Sequence, residues 1–135
     1  MHRVRLVSFV LLVVCTTGCT DPTIGVVRGT VTIDGELAKT GSISFFPVDG
    51  NGQTAGAAIV DGAYEATVSV GICRVEIRVP KKVGEIKIYD TPDSPIQDDM
   101  RESLPPKYND ESELQYEVQP GKSEKDFELS TKKAT

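Results

Sequence analysis

From residue 26 onward hydrophobic and polar residues alternate, and glycines break the alternation at short intervals. Between Val26 and Asp34, Val27, Gly29, Val31 and Ile33 interleave with Arg28, Thr30 and Thr32, which predicts a strand with one buried and one wet face. Asp34-Gly35 follows as a turn suited to positive φ. A second strand, Gly41 to Val48, places Ile43 and Phe45 on one face, and Asp49-Gly50-Asn51-Gly52 ends it. The third, Thr54 to Val60, is small and alanine-rich, which predicts close packing against bulky neighbours. Asp61-Gly62 is the strongest hairpin signal in the chain. Beyond it a fourth strand, Ala63 to Val70, carries Tyr64, Ala66, Val68 and Val70 on one side, and Gly71 breaks it. The fifth, Ile72 to Val79, turns Cys73, Val75, Ile77 and Val79 inward against Arg74, Glu76 and Arg78. Two short strands come late: Leu114, Tyr116 and Val118 alternate, Pro120-Gly121 turns the chain, and Phe127 and Leu129 alternate before a lysine-rich tail.

The long connection from Pro80 to Glu113 contains Pro80, Pro92, Pro95, Pro105 and Pro106. At its centre Ser94-Pro95-Ile96-Gln97 fits an N-cap, a first-turn proline and a capping-box residue, so residues 95–103 are expected to form a short helical turn. A connection of this length either carries function or bridges the end of the fold. The expected architecture is all-β, a seven-stranded antiparallel β-sandwich over residues 25–130 with a polar tail at 131–135. Its predicted core is Val31, Ile33, Ile43, Phe45, Tyr64, Val68, Val75, Ile77, Tyr116 and Phe127.

The segments VVRGTVTIDGELAKTGSISFFPVDG and IVDGAYEATVSVGICRVEIRV resemble the carboxypeptidase regulatory-like, or transthyretin-like, β-sandwich family. Gly29, Asp34, Gly35, Asp61, Gly62, Tyr64 and Gly71 carry the resemblance, and Cys73 stands where the last motif has Tyr. Leu104 to Asp110, LPPKYND, resembles the corresponding part of exported bacterial lipoproteins with this domain. These motifs are turn and packing signals, so they imply a fold and leave function open.

Residues 1–19 read MHRVRLVSFVLLVVCTTGC: Arg3 and Arg5, an apolar run from Leu6 to Cys15 interrupted by Ser8, then small residues. That is the layout of a secretory signal, with an apolar run well short of the ~20 residues that span a bilayer. Thr16-Thr17-Gly18-Cys19 resembles a bacterial lipobox, with Thr16 where that pattern has a large aliphatic residue. The resemblance implies a signal peptide at 1–18, acylation of Cys19 and a lipid-anchored linker at 19–24. An ordinary signal peptide cleaved near Gly18, leaving Cys19 a plain thiol, is the other reading. Thr20 rather than Asp follows Cys19, which implies the outer membrane as the destination. Of the three cysteines, Cys15 would be removed and Cys19 acylated, leaving Cys73 without a disulfide partner.

At 135 residues and 39% hydrophobic, the chain has material for one core. Its net charge is -5, and loss of Arg3 and Arg5 makes it more acidic still, which argues against nucleic acid as a partner. The single histidine, His2, lies in the signal segment. Without it, catalytic pairs built on His, His-rich zinc sites and the histidine-dependent hydrolase branch of the resembled fold are excluded. An intramolecular isopeptide is excluded as well, because Arg28 is the basic residue of the first strand and Asp126 to Ser130 holds no Asn. Cys73 shares parity with Val75 and Ile77 and reads as a core residue. Asp90, Asp93, Asp98 and Asp99 lack the spacing of a calcium loop and read as solvated charge. Phe46, Tyr89 and Tyr108 are the candidate ligand-contact aromatics, with covering the second sheet and pinning the long connection as the bland roles of Phe46 and Tyr108. The expectation is a non-enzymatic, lipid-anchored envelope module without metal or cofactor. Its partners would be the membrane through the anchor and an envelope protein, or alternatively a carbohydrate or peptidoglycan.

Overall fold

The computed structural model describes Gly18 and residues 21–132; residues 1–17, Cys19, Thr20 and residues 133–135, and with them the expected signal peptide and lipidation position, lie outside the described residues. The chain is all-β, with strands β1 (Ile24–Ile33), β2 (Glu36–Leu37), β3 (Thr40–Pro47), β4 (Ala55–Val60), β5 (Ala63–Ser69) and β6 (Gly71–Arg78). They are followed by β7 (Pro80–Lys87), β8 (Ile96–Glu102), β9 (Gln115–Val118), β10 (Gly121–Glu124) and β11 (Phe127–Leu129), with one 3-10 turn at Pro106–Tyr108.

Nine strands form one sheet in the order β10-β1-β5-β4-β3-β6-β9, with β2 and β11 also paired to β1. The sheet curls on itself. Strands β4 and β5 pair only at Val60↔Ala63, so the chain passes there from the β4–β3–β6–β9 half to the β5–β1–β10 half. Asp61 (φ 49°) and Gly62 (φ 82°) make that passage as a two-residue turn with both φ angles positive, the conformation that Asp-Gly encodes. The turn after β9 makes the second passage, across which the Tyr116 hydroxyl donates to Ser123 Oγ at 3.2 Å.

Apolar side chains from both halves meet inside the curl. Val27, Val31, Ile43, Phe45, Ile59, Val68, Val75, Ile77 and Val118 are all but fully buried. Phe45 reaches Tyr64 (centroids 6.3 Å) and Tyr64 reaches Phe127 (6.2 Å), joining three strands in one aromatic contact chain. Tyr64 buries its ring and still satisfies its hydroxyl, which donates to the Lys125 carbonyl at 2.6 Å. The bulky neighbours expected for β4 are Phe45 and Ile43, which stand directly opposite Ala55 and Ala57. Ile33 and Tyr116 lie at the margin of the core, half-buried against it.

Three expectations are corrected. Among the described residues eleven strands replace seven, because β2, β7, β8 and β10 are added. Pairing is antiparallel except at one margin, where β10 and β11 run parallel to β1 after the chain has crossed from β9. Residues 95–103 are not helical. They contribute strand β8, which pairs antiparallel with β7 from Pro80↔Glu102 to Lys87↔Ile96, with a bulge between Lys82 and Gly84. Ser94 does not cap a helix: its hydroxyl accepts the Tyr89 N–H at 2.7 Å and closes the ribbon's connecting loop. Pairing with β7 satisfies the backbone groups on the inner edge of 96–102 and leaves those on the outer edge to water.

The body has two poles. Ile24, Pro47, Ser69, Gly71, Val118 and Gly121 gather at one, as the pairs Ile24↔Ser69, Gly25↔Gly121, Pro47↔Cys73 and Gly71↔Val118 require. Ile33, Glu36, Arg78 and Leu129 gather at the other, from which the ribbon springs.

Candidate functional site

Among the described residues, ribbon β7–β8 is the longest exposed pair of strands. Every residue of β7 is exposed, and in β8 only Asp99 is partly covered. At the ~3.3 Å rise of a strand, eight residues give it a length of roughly 26 Å. Six large apolar side chains stand exposed on it: Val83, Ile86, Ile88, Tyr89, Ile96 and Met100. Lys82 Nζ pairs with Glu85 on its own strand (3.0 Å) and with Asp98 across the ribbon (2.6 Å), and Asp98 followed by Glu85 holds the Lys82 ammonium above its usual range. Arg101 pairs with Asp99 at 3.1 Å. These pairs are solvent-exposed and contribute little individually, and only Lys82–Asp98 joins the two strands.

The ribbon is clamped where it leaves the body. Glu102 Oε1 accepts three backbone N–H groups, from Val79 (3.0 Å), Ser103 (2.9 Å) and Leu104 (3.0 Å). The Ser103 hydroxyl donates to the Val79 carbonyl at 2.5 Å, and Leu104 is buried in the core. Beside this clamp lies an open groove of about 750 Å³ lined by Leu37, Lys39, Val79, Lys81, Lys82 and Met100, among others.

The three candidate aromatics stand on three different elements. Phe46 lies half-buried on β3, with the Arg74 guanidinium over its ring at 5.1 Å. Tyr108 is half-buried in the 3-10 turn; its hydroxyl accepts the Ser130 N–H at 3.0 Å and the Lys107 ammonium lies over its ring at 4.9 Å. Tyr89 is open to solvent, 64% exposed, in the loop of the ribbon. Phe46 is near the pole opposite the ribbon's base, so the three do not form one stacking platform. Tyr108 has the geometry of a pin for the connection, and Tyr89 stands free of the body.

Cys73 is buried, and burial followed by the Asp49 charge pushes its thiol up, which keeps it protonated and unreactive. Burial likewise pushes the Tyr64 hydroxyl up. Asp98 and Asp99 are engaged by Lys82 and Arg101, and among the described residues no cluster of three His, Cys, Asp or Glu could hold a metal ion. Cys19 lies outside the described residues.

The clamp residue Glu102 and the apolar positions Val83, Ile86, Ile88, Ile96 and Met100 were not singled out by the sequence. A signal was present in Ile86-Lys87-Ile88, a short β-branched alternation, but the flanking prolines and acids suggested a loop. Comparison with family models, with curated proteins and with solved structures finds no match to this chain.

Proposed function

We propose that this protein is a non-enzymatic, lipid-anchored module of the cell envelope, in which a sandwich-like body of transthyretin type holds the β7–β8 ribbon out as its contact surface. The observation that carries this reading is the ribbon itself. A two-stranded ribbon alone is marginally stable in water, and this one leaves six large apolar side chains uncovered while three backbone bonds to Glu102 fasten its base. Anchorage rests on the likeness of Thr16 to Cys19 to a lipobox, and the fold type rests on Gly29, the Asp34-Gly35 and Asp61-Gly62 turns, Tyr64 and Gly71. The thiol of Cys73, buried and pushed up, is not offered as a nucleophile, in keeping with a non-catalytic role.

Site-specific photocrosslinkers placed at Ile86, Tyr89 and Ile96 in cells test the contact surface. The expected outcome is a discrete adduct at ribbon positions and none from Glu65 on the outer sheet. Equal labelling at Glu65 and the ribbon would refute it. Metabolic labelling with a fatty-acid analogue tests the anchor, with label expected on the native protein and absent from Cys19→Ser. Retention on purified peptidoglycan equal in the native protein and a Tyr89→Ala variant of the ribbon would favour glycan binding elsewhere on the body instead.

A further inference from the structure

The entry segment is tied to the body almost to the anchoring position. Thr23 N–H and Oγ1 donate to Asp21 Oδ1 at 2.9 and 2.7 Å, Ile24 N–H donates to the Asp21 carbonyl, and Val70 N–H donates to the Thr23 carbonyl at 2.9 Å. Asp21 therefore belongs to the pole formed by Ile24, Ser69 and Gly71. Cys19 is two positions before Asp21, so the Cα atoms lie at most about 7.6 Å apart. Acyl chains on Cys19 would hold that pole against the bilayer, with no linker long enough to let the body turn over.

The same pole carries apolar side chains that the fold does not need outside. Ile24 is 39% exposed, Val48 56% and Ile72 52%. Val48 and Ile72 are neighbours, the Val48 N–H donating to the Ile72 carbonyl at 3.0 Å. Ile72 lies on β6 next to Cys73, whose side chain takes the buried position, so strand parity turns Ile72 out. The charged groups nearby are Asp21, Asp49, Lys122 and Glu117, which stands opposite Ile72 on β9, a mainly acidic set that provides no basic patch for anionic lipid.

We infer that this pole is a membrane-resting face, with Ile24, Val48 and Ile72 seated in the interface of a zwitterionic bilayer and the ribbon directed to the opposite side of the body. The inference rests on the anchored reading proposed above. Apolar side chains at headgroup depth add to the affinity of an acyl anchor and also fix orientation, which acyl chains alone do not. The ten residues of β1 then set the base of the ribbon roughly 30 Å from the bilayer, leaving its apolar residues to a partner in the aqueous layer.

The chain contains no tryptophan, so a single introduced Trp reports one position. The lipidated protein, purified from membranes, is incorporated in phosphatidylcholine vesicles with or without brominated acyl chains, as Val48→Trp, Ile72→Trp and Tyr89→Trp variants. All three positions are exposed, so the fold tolerates the larger ring. The expected result is roughly twofold lower emission from positions 48 and 72 in brominated vesicles, as contact with the acyl boundary requires, and unchanged emission from position 89. Protein that sediments with the vesicles while 48 and 72 stay bright, or while 89 is quenched equally, overturns the resting face and leaves the anchor standing. Protein that remains in the supernatant overturns the anchored reading and the inference together.

Discussion

Gly29→Ala puts one methyl group where the backbone leaves no space. A Cβ at Gly29 would fall inside van der Waals contact of the Lys125 carbonyl oxygen, 2.6 Å from its carbon and 2.9 Å from Asp126 Oδ1. This is the point at which β1 exchanges β10 for β11 as its parallel neighbour, and the linking residues Lys125 and Asp126 cross directly over it. Three sets of bonds hold the crossing down: Lys125 N–H to the Arg28 carbonyl (2.8 Å), the Tyr64 hydroxyl to the Lys125 carbonyl (2.6 Å), and Thr30 N–H and Oγ1 to Asp126 Oδ1 (2.8 and 3.1 Å). The neighbour is backbone, so relief requires the crossing to lift. Overpacking costs about 1–3 kcal/mol, and loss of two of these hydrogen bonds adds about 2 kcal/mol. The lower chain entropy of unfolded Ala returns about 0.4–1 kcal/mol, for a net destabilisation of about 3 kcal/mol. Gly84→Ala makes the same chemical change on the ribbon, where nothing lies within 4 Å and φ is not positive, so stability should stay unchanged or rise slightly. Urea unfolding of both variants measures the contrast. A cost under about 0.5 kcal/mol at Gly29, or equal shifts at the two glycines, would refute the close approach.

Ile77→Ala should cost about 2–4 kcal/mol because the side chain is fully buried, whereas Ile72→Ala on the same strand should stay within about 0.5 kcal/mol; equal costs in chemical denaturation would overturn the assigned parity. Glu102→Ala removes the acceptor of three N–H groups and should speed hydrogen exchange at Val79 and Leu104 by an amount corresponding to about 1–3 kcal/mol, and unchanged exchange there would show that the clamp is not needed. Thr131 donates to Asp34 through its N–H (3.1 Å) and hydroxyl (2.5 Å), and the hydroxyl followed by the N–H holds the Asp34 carboxyl below its ordinary 3.8. A depressed folded value means the latch is complete above the ordinary value and is lost as pH falls through the lowered one. The Thr131 amide resonance should therefore titrate with a midpoint below 3.8, and a midpoint at or above it would contradict the latch.

The β7–β8 ribbon was the least legible part of the sequence. Period two identifies a strand when one face is buried, and β7 and β8 have none, so their apolar residues follow no single face. Ser94-Pro95-Ile96-Gln97 satisfies the local rules of a helix start and a strand start alike, and the partner that decides between them, β7, lies across a loop. Tyr89 could be named from composition, whereas its exposure beside Ile88 and Ile96 follows only from the pairing. Glu102 gave no signal, because its role depends on Val79, between β6 and β7, lying beside it in the fold.

Parity and turn chemistry were determined locally. Alternation along β1, β3, β5 and β6 assigned Val31, Ile43, Phe45, Val68, Val75 and Ile77 to the inside, and Asp34-Gly35 and Asp61-Gly62 adopt positive φ as their residue types favour. These features belong to single strands and adjacent residues, so short-range sterics and the cost of burying polar groups suffice to specify them. Only the tertiary structure decided which strands are neighbours. The parallel placement of β10 and β11 beside β1, the separation of the halves at β4 and β5, and the backbone crossing that requires Gly29 each join segments distant in the chain. Their stability comes from burying both inner faces at once, a property that no individual strand possesses.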